Sequence, residues 1–198
     1  NIYSLYSTAE EAIRHAAFQV GSIITTTGYA TTDFDLWPSF SKAILLGLMV
    51  IGACAGSTGG GIKVARVLLL FKSLRRNIRQ VMHPNRVQVV RNNGAVVEEQ
   101  VLENTNAYLA AYVIIMILSV LAISLDGFSL ETNLSAVMAC FNNIGPSFEG
   151  AGPMGNYDCY SYFAKLVLSL AMLLGRLEIF PMLILFSPTV WKKRRAKA

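Results

Sequence analysis

Charge is scarce in this sequence. Asp, Glu, Lys and Arg make up only 15% of its 198 residues, against about 25% in an ordinary soluble domain. Cysteine is sparse as well: Cys54, Cys140 and Cys159 follow no metal-ligand spacing and leave an odd thiol, so no disulfide framework is read from them. Neither a Ser/His/Asp constellation nor a His-Glu-x-x-His stretch is present. A basic n-region with a cleavage site is also missing, so nothing reads as a signal peptide. With Asn1 rather than Met at its start, the chain is expected to begin part-way into a longer protein. Apolar residues are abundant, at 54% of the total, and the mean hydropathy is +0.47. This balance excludes disorder, a coiled coil and an ordinary cytosolic enzyme, and it points to a bilayer.

The few charges are unevenly placed. Of seventeen basic residues, eight lie between Lys63 and Arg91 and five between Lys192 and Lys197, whereas acids dominate 1–38 and 126–160. Basic loops beside membrane spans stay cytoplasmic. Residues 63–103 and 191–198 are therefore expected inside, and 1–38 and 126–160 outside. A basic face for nucleic acid would need a soluble domain to carry it, and no nucleic-acid partner is expected. His15 and His83 fall on opposite sides, and His83-Pro84 reads as a loop.

Three apolar stretches are long enough to cross. Ala107–Leu125 has nineteen residues without a charge, close to the ~20 needed for a core of about 30 Å. The second runs from Phe40 to Phe71 and is interrupted by Gly-Ser-Thr-Gly-Gly-Gly at 56–61. As one straight helix it would exceed the bilayer, and the glycines offer the place to break. The third, Tyr162–Trp191, carries Arg176 and Glu178 inside it. Two shorter segments, Ala12–Ile24 and Leu130–Phe141, suit re-entrant or interfacial helices on the outer side.

Each short helix precedes a small polar turn ending in glycine: Thr25-Thr26-Thr27-Gly28-Tyr29 and Asn142-Asn143-Ile144-Gly145-Pro146. Superposing Gly28 on Gly145 gives an internal repeat with an offset of 117 residues, each half reading helix, turn, outer loop and inward span. At that offset Gly59 faces Arg176. A cation shedding water needs a ring of oxygen dipoles, which glycine-containing loops supply through backbone carbonyls. Neither turn holds a carboxylate, which disfavours a hard divalent ion. A plain polar loop is the alternative for either turn.

Arg176 is the costliest residue of the chain at membrane depth, by about 2.5–3.5 kcal/mol on insertion scales. It should face protein or water and be hydrogen-bonded. A helix broken at Gly56–Gly61 would offer carbonyl acceptors at a matching depth. These residues are expected to form a strap under the turns, held by Arg176 across the path. Two alternatives stand beside it: Gly52, Gly56 and Gly60 could form a helix-packing face, and Arg176 could be a structural anchor off the ion route.

The blocks GYATTDF-x-x-WPSF (28–40), GACAGSTGGGIKVAR (52–66), NNIGP (142–146) and MLLGRLEIF (172–180) resemble, in this order, the Trk-type potassium-uptake family (TrkH/TrkG), in one superfamily with KtrB. The resemblance runs along nearly the whole chain. It implies an all-α membrane protein of M1–P–M2 pore-loop repeats, with re-entrant pore helices and a broken M2 helix. Residues 1–103 would supply the pore helix, filter loop and broken M2 of a third repeat plus a cytoplasmic loop. Residues 104–198 would supply a complete fourth repeat and a basic tail. By position, the resemblance places potassium at Thr26, Thr27 and Gly28 and at Asn143, Ile144 and Gly145, with Gly59, Gly60, Gly61 and Arg176 as the gate. It further implies K+ as the transported ion with no organic cofactor, a homodimer in lipid, a cytosolic TrkA-type nucleotide-binding ring, and a multi-pass place in the bacterial inner membrane with the C-terminus cytoplasmic. A Na+-permeable or cation-symporting member is the alternative. A nucleotide-binding membrane enzyme fits less well. Ile62 separates Gly61 from Lys63 and Val64 follows, which breaks the Gly-Lys-Ser/Thr order of a phosphate loop.

Overall fold

The computed structural model describes residues 1–185 apart from Ala53, Ala55, Thr58, 84–87 and Glu178. Glu178, Pro84 and the basic tail therefore lie outside the described residues. Among the described residues the chain is mostly helical: α1 (Ala9–Ile24), α2 (Ser39–Val50), α3 (Val64–Met82), α4 (Glu99–Ile123), α5 (Leu130–Phe141), α6 (Tyr162–Arg176) and α7 (Ile179–Leu185). Two strand pairs are short. β1 (Ile51–Gly52) runs parallel to β2 (Ile62–Lys63), and β3 (Arg91–Asn92) is antiparallel to β4 (Ala95–Val96).

Helix starts follow from local capping. Thr8 accepts from the Glu11 backbone N–H at the head of α1, Ser129 from Thr132 at α5, and Ser161 from Ala164 at α6, each meeting one of the N–H groups a helix leaves unpaired. Asp126 Oδ2 accepts from Ser161 N at 2.8 Å, which ties the end of α4 to the start of α6. Asn93 and Gly94, both with positive φ, close the two-residue turn between β3 and β4, the conformation a type I′ hairpin requires.

The burial pattern is inverted relative to a water-soluble protein. α5 is covered nearly all round, and Thr132, Asn133 and Ser135 on it are buried together with Ala136, Val137 and Phe141. The outer faces of α4 and α6 instead expose Leu118, Leu121, Phe163 and Leu166. Polar groups inside and leucine outside is the arrangement that an apolar surround rewards. α4 with its following turn, Glu99–Asp126, is the one helix among the described residues long and apolar enough to cross a membrane. At 1.5 Å per residue the 25-residue α4 spans roughly 37 Å, whereas α2 and α6 reach only about 18 and 22 Å.

Both other long apolar runs are divided, and at points the sequence does not mark. α2 stops at Val50, six residues before Gly56, and α3 resumes at Val64. α6 stops at Arg176 and α7 begins at Ile179, so Arg176 ends a helix rather than sitting within one. Below these breaks, α3 is fastened to the β3–β4 hairpin and to the base of α4. Lys72 Nζ donates to Arg91 O and Asn92 Oδ1 at 3.0 and 2.9 Å. Arg76 forms a two-pronged pair with Glu99 at 2.6 and 2.8 Å.

Of three apolar clusters, the first lies within the second half and the other two join the halves. One gathers Ile123, Val137, Cys140 and Leu168 around α5, a second joins Ile23, Phe34, Trp37 and Leu45 to Ile144 and Phe148, and a third links Ile62, Tyr112, Phe141 and Ile179. At the outer end the Glu149 carboxylate accepts from the Ser129 hydroxyl at 2.6 Å and from the Thr132 hydroxyl. These bonds hold its pKa below the usual carboxylate value. A depressed pKa contributes stability above the unfolded value, about 4.3, which is lost as pH falls through the lower folded value. In a melting series of the solubilised protein from pH 6 to pH 3, Glu149→Gln is expected to flatten the acid limb. An unchanged acid limb would remove this carboxylate from the account.

Candidate functional site

The two glycine turns have the same backbone. At the end of α1, Thr25 N bonds Gly21 O at 3.0 Å, Thr26 N bonds Ile23 O at 3.1 Å and Thr27 N bonds Ser22 O at 2.9 Å. At the end of α5, Asn142 N bonds Met138 O at 3.0 Å, Asn143 N bonds Cys140 O at 3.0 Å and Ile144 N bonds Ala139 O at 2.9 Å. Every donor and acceptor in the second set lies 117 residues after its counterpart. The last two bonds of each set form a Schellman motif, which normally places glycine in the left-handed position. Here Thr26 (φ 54°) and Asn143 (φ 56°) occupy it, followed by Gly28 (φ 78°) and Gly145 (φ 109°). A β-branched threonine in that region costs roughly 1–2 kcal/mol, a strain held at both ends by paired backbone groups.

The turns also touch. A Cβ on Gly28 would overlap the carbonyl oxygen of Ile144 and lie 3.3 Å from Pro146 Cδ. The Ile144 side chain is buried in the cluster with Ile23 and Phe148, while Thr27 and Gly145 are exposed. Among the described residues, no hydrogen bond ends on the backbone oxygens of Thr26, Thr27, Gly28, Asn143 or Ile144. The two turns that carry these six residues are thus in contact, with Thr27 and Gly145 exposed, Thr26, Gly28 and Asn143 half-buried and Ile144 buried.

β1 and β2 pair on either side of the glycine run, and Gly60 and Gly61 of that run lie against the C-terminal end of α5. A Cβ on Gly60 would overlap the Asn142 carbonyl and reach 3.2 Å from Asn143 Nδ2. One on Gly61 (φ 79°) would stand 3.0 Å from Asn142 Oδ1. Gly175 of α6 approaches the Phe141 carbonyl from the other side. Because α2 has already ended, Gly52, Gly56 and Gly60 do not share a helix face, which sets aside the helix-packing reading.

Arg176 comes to the same loop. A cavity of about 290 Å³ is lined by Ser57, Gly59 and Gly61 on one side and by Gly175, Arg176 and Leu177 on the other, with Lys63 and Arg66 also on its wall. The 117-residue register does not explain this meeting. Between turn and span the second half is six residues longer. Phe34–Leu36 answers to Tyr157–Cys159 and Ser39 of α2 to Tyr162 of α6 at an offset of 123. Arg176 therefore matches Ala53, not Gly59, and contact rather than symmetry pairs it with the glycines.

Several contributors escaped sequence reasoning. Tyr112 on α4 donates to Asn142 Oδ1 at 2.9 Å, and Asn142 Nδ2 donates to Met138 O at 2.9 Å. Asn143 Nδ2 donates to Met172 O on α6 at 3.1 Å. Arg66 lies 4.1 Å from the Tyr108 ring centroid. The basic start of α3 and the repeated asparagine were visible, but their partners are distant in sequence. Near the outer surface Lys42 pairs with Asp35 at 3.7 Å. Burial pushes the Asp35 carboxyl above its usual pKa, against the lowering effect of a backbone bond with Glu149 and of Lys42.

The arrangement offers uncommitted peptide oxygens on one level and a glycine loop with an adjacent guanidinium below. Comparisons with known proteins show the family of the chain. The model of the TrkH family, described as "Cation transport protein", matches residues 4–193. The Trk system potassium uptake protein TrkH of Escherichia coli (strain K12) is 40% identical over 192 residues, 96% of this chain and 39% of that protein. The Trk system potassium uptake protein TrkG of the same organism is 34% identical over 178 residues, covering 90% and 36%. The crystal structure of the potassium transporter TrkH from Vibrio parahaemolyticus superposes with a TM-score of 0.85 at 39% identity, covering 96% of this chain and 40% of that one. These are the names of transport proteins rather than enzymes, and the chain spans about two fifths of their length. With the family match extending over nearly every residue, the chain belongs to the TrkH family of cation transport proteins.

Proposed function

We propose that this chain forms part of a potassium-uptake protein of the bacterial inner membrane. In this reading Thr26, Thr27, Gly28, Asn143, Ile144 and Gly145 supply backbone oxygens to a filter completed by repeats outside this chain. The observation that carries the reading is the pair of matching left-handed turns in contact through Gly28 and Ile144. Peptide oxygens, of which only that of Gly145 accepts a hydrogen bond among the described residues, suit a monovalent cation, since their dipoles replace its hydration shell without binding it too tightly to leave.

The gate follows from the lower level. Gly60 and Gly61 lie against the end of α5, and Arg176 shares a cavity with Gly59 and Gly61, which in this reading is under the filter. A fixed guanidinium beside the path raises the barrier for a cation, and the loop closes the route sterically. The asparagines make the two levels one body: movement of the glycine loop disturbs Asn142, which Tyr112 holds, and thereby the peptide of Asn143. The complete protein works as a homodimer in lipid, with a cytosolic TrkA-type nucleotide-binding ring below and its C-terminus on that side. The basic residues of α3 support that orientation.

Rubidium or potassium uptake by the complete protein in a host lacking other uptake systems tests the filter. Gly28→Ala is expected to abolish most uptake, because its Cβ meets the Ile144 backbone and φ is 78°. Full uptake by this variant, at normal abundance, would sink the filter assignment. The gate has its own test. Arg176→Ala and deletion of Gly59–Gly61 are each expected to raise cation flux, roughly tenfold for every 1.4 kcal/mol of barrier removed. Unchanged flux in both leaves the loop without a gating role.

A further inference from the structure

The two turns are restrained by different means. Around Gly28 the space is filled: the site of a Cβ coincides with the Ile144 carbonyl and lies near Pro146. The segment beyond it is also fastened, since Ser22 Oγ on α1 donates to Tyr29 O at 2.6 Å. Gly145 lacks the packing, and the segment beyond it is fastened only two and three residues on, where Ser147 N donates to Ala151 O at 2.9 Å and Phe148 N to Ser135 Oγ at 3.2 Å. Nothing lies within 4 Å of its Cβ position, and the residue matching Ser22 at an offset of 117 is Ala139, which has no side-chain donor. A glycine in open space with φ at 109° is free to rotate its peptide unless something holds it.

What holds it is a phenol. Tyr157 Oη donates to Gly145 O at 2.7 Å. Tyr157 begins a 3₁₀ turn, Tyr157–Cys159, capped by Asn156, whose side chain accepts from Asp158 N. Its ring lies 6.1 Å from that of Tyr160 and packs on the cluster containing Val137 and Cys140. The equivalent residue of the first half is Phe34, which begins a matching 3₁₀ turn capped by Asp33 and is buried, with no hydroxyl to offer. The second half therefore reaches from its longer outer loop to pin a carbonyl that packing leaves loose.

We infer that Tyr157 is a positioning residue for cation discrimination: by holding the Gly145 carbonyl it fixes where the second turn presents its oxygens. This rests on the reading of the turns as a filter. A carbonyl oxygen has two acceptor sites, so a hydrogen bond from one side fixes its direction and leaves the other side for an ion. Without the phenol, the peptide after Gly145 turns with the ion, and the ring of oxygens adapts equally to a smaller cation.

The experiment reconstitutes the complete protein in lipid vesicles and compares potassium, rubidium and sodium flux for wild type, Tyr157→Phe and Tyr160→Phe. The phenylalanine at 157 keeps the ring and its packing and removes only the donor. The K+/Na+ flux ratio is expected to fall about two- to tenfold, the worth of one hydrogen bond of ordinary strength, with melting temperature unchanged. Tyr160 donates to Thr132 O and Asn133 Oδ1 near the head of α5 and makes no bond to the turn, so Tyr160→Phe is expected to keep the wild-type ratio. A wild-type ratio in Tyr157→Phe overturns the inference, as does an equal fall in Tyr160→Phe, which would mark general loosening. A wild type with no K+-selective flux would instead bring down the filter reading itself.

Discussion

The end of α5 is where backbone meets backbone, and the rest of the structure is arranged around that closeness. The carbonyls of Phe141, Asn142 and Ile144 are approached by Gly175, Gly60 and Gly28 respectively, each at a distance where a Cβ would collide. Three separate segments can converge only because none carries a side chain at the point of contact. The convergence binds the first turn, the broken span and the last long helix to one short buried helix. Side chains then secure what the glycines allow. Tyr112 holds Asn142, Asn143 reaches Met172, and Ile144 anchors the apolar cluster shared by both halves.

Irregular backbone at membrane depth survives only if protein or water satisfies it. Protein does so here. Schellman motifs absorb the N–H groups at the ends of α1 and α5, and the short β1–β2 pair absorbs those at the mouth of the glycine loop. Among the described residues the backbone oxygens of Thr26, Thr27, Gly28, Asn143 and Ile144 are left without a hydrogen bond. In this view the strain of Thr26 and Asn143 in the left-handed region has a purpose: it turns the following peptides in one direction without requiring a glycine at that position.

Much of this was legible from local signals. The short segment Leu130–Phe141 coincides with α5, and the offset of 117 fixed by Gly28 and Gly145 is repeated by each hydrogen bond at the two helix ends. What escaped was the change of offset to 123. The outer loops share no motif, so nothing in the residues shows that one is six longer, and Arg176 was matched to Gly59 for the wrong reason. The break at Val50 was also missed: Gly52, just past the Ile51 C-cap, stands where glycine commonly ends a helix, but the apolar run of Leu45, Leu46, Leu48 and Met49 into Ile51 masked it, and Ile51 then pairs with Ile62. Tyr112 could not be found at all: a tyrosine in an apolar span looks like packing until the asparagine thirty residues later is seen against it.

The fastening of α3 carries a mechanical implication. An exposed ion pair alone contributes little, but Arg76 grips Glu99 with two prongs, and Lys72 adds two bonds to the β3–β4 hairpin. Helix, hairpin and the foot of α4 are thus fastened to one another. α3 begins at Val64, immediately after β2. The fastening therefore reaches, through α3, the strand that closes the glycine segment.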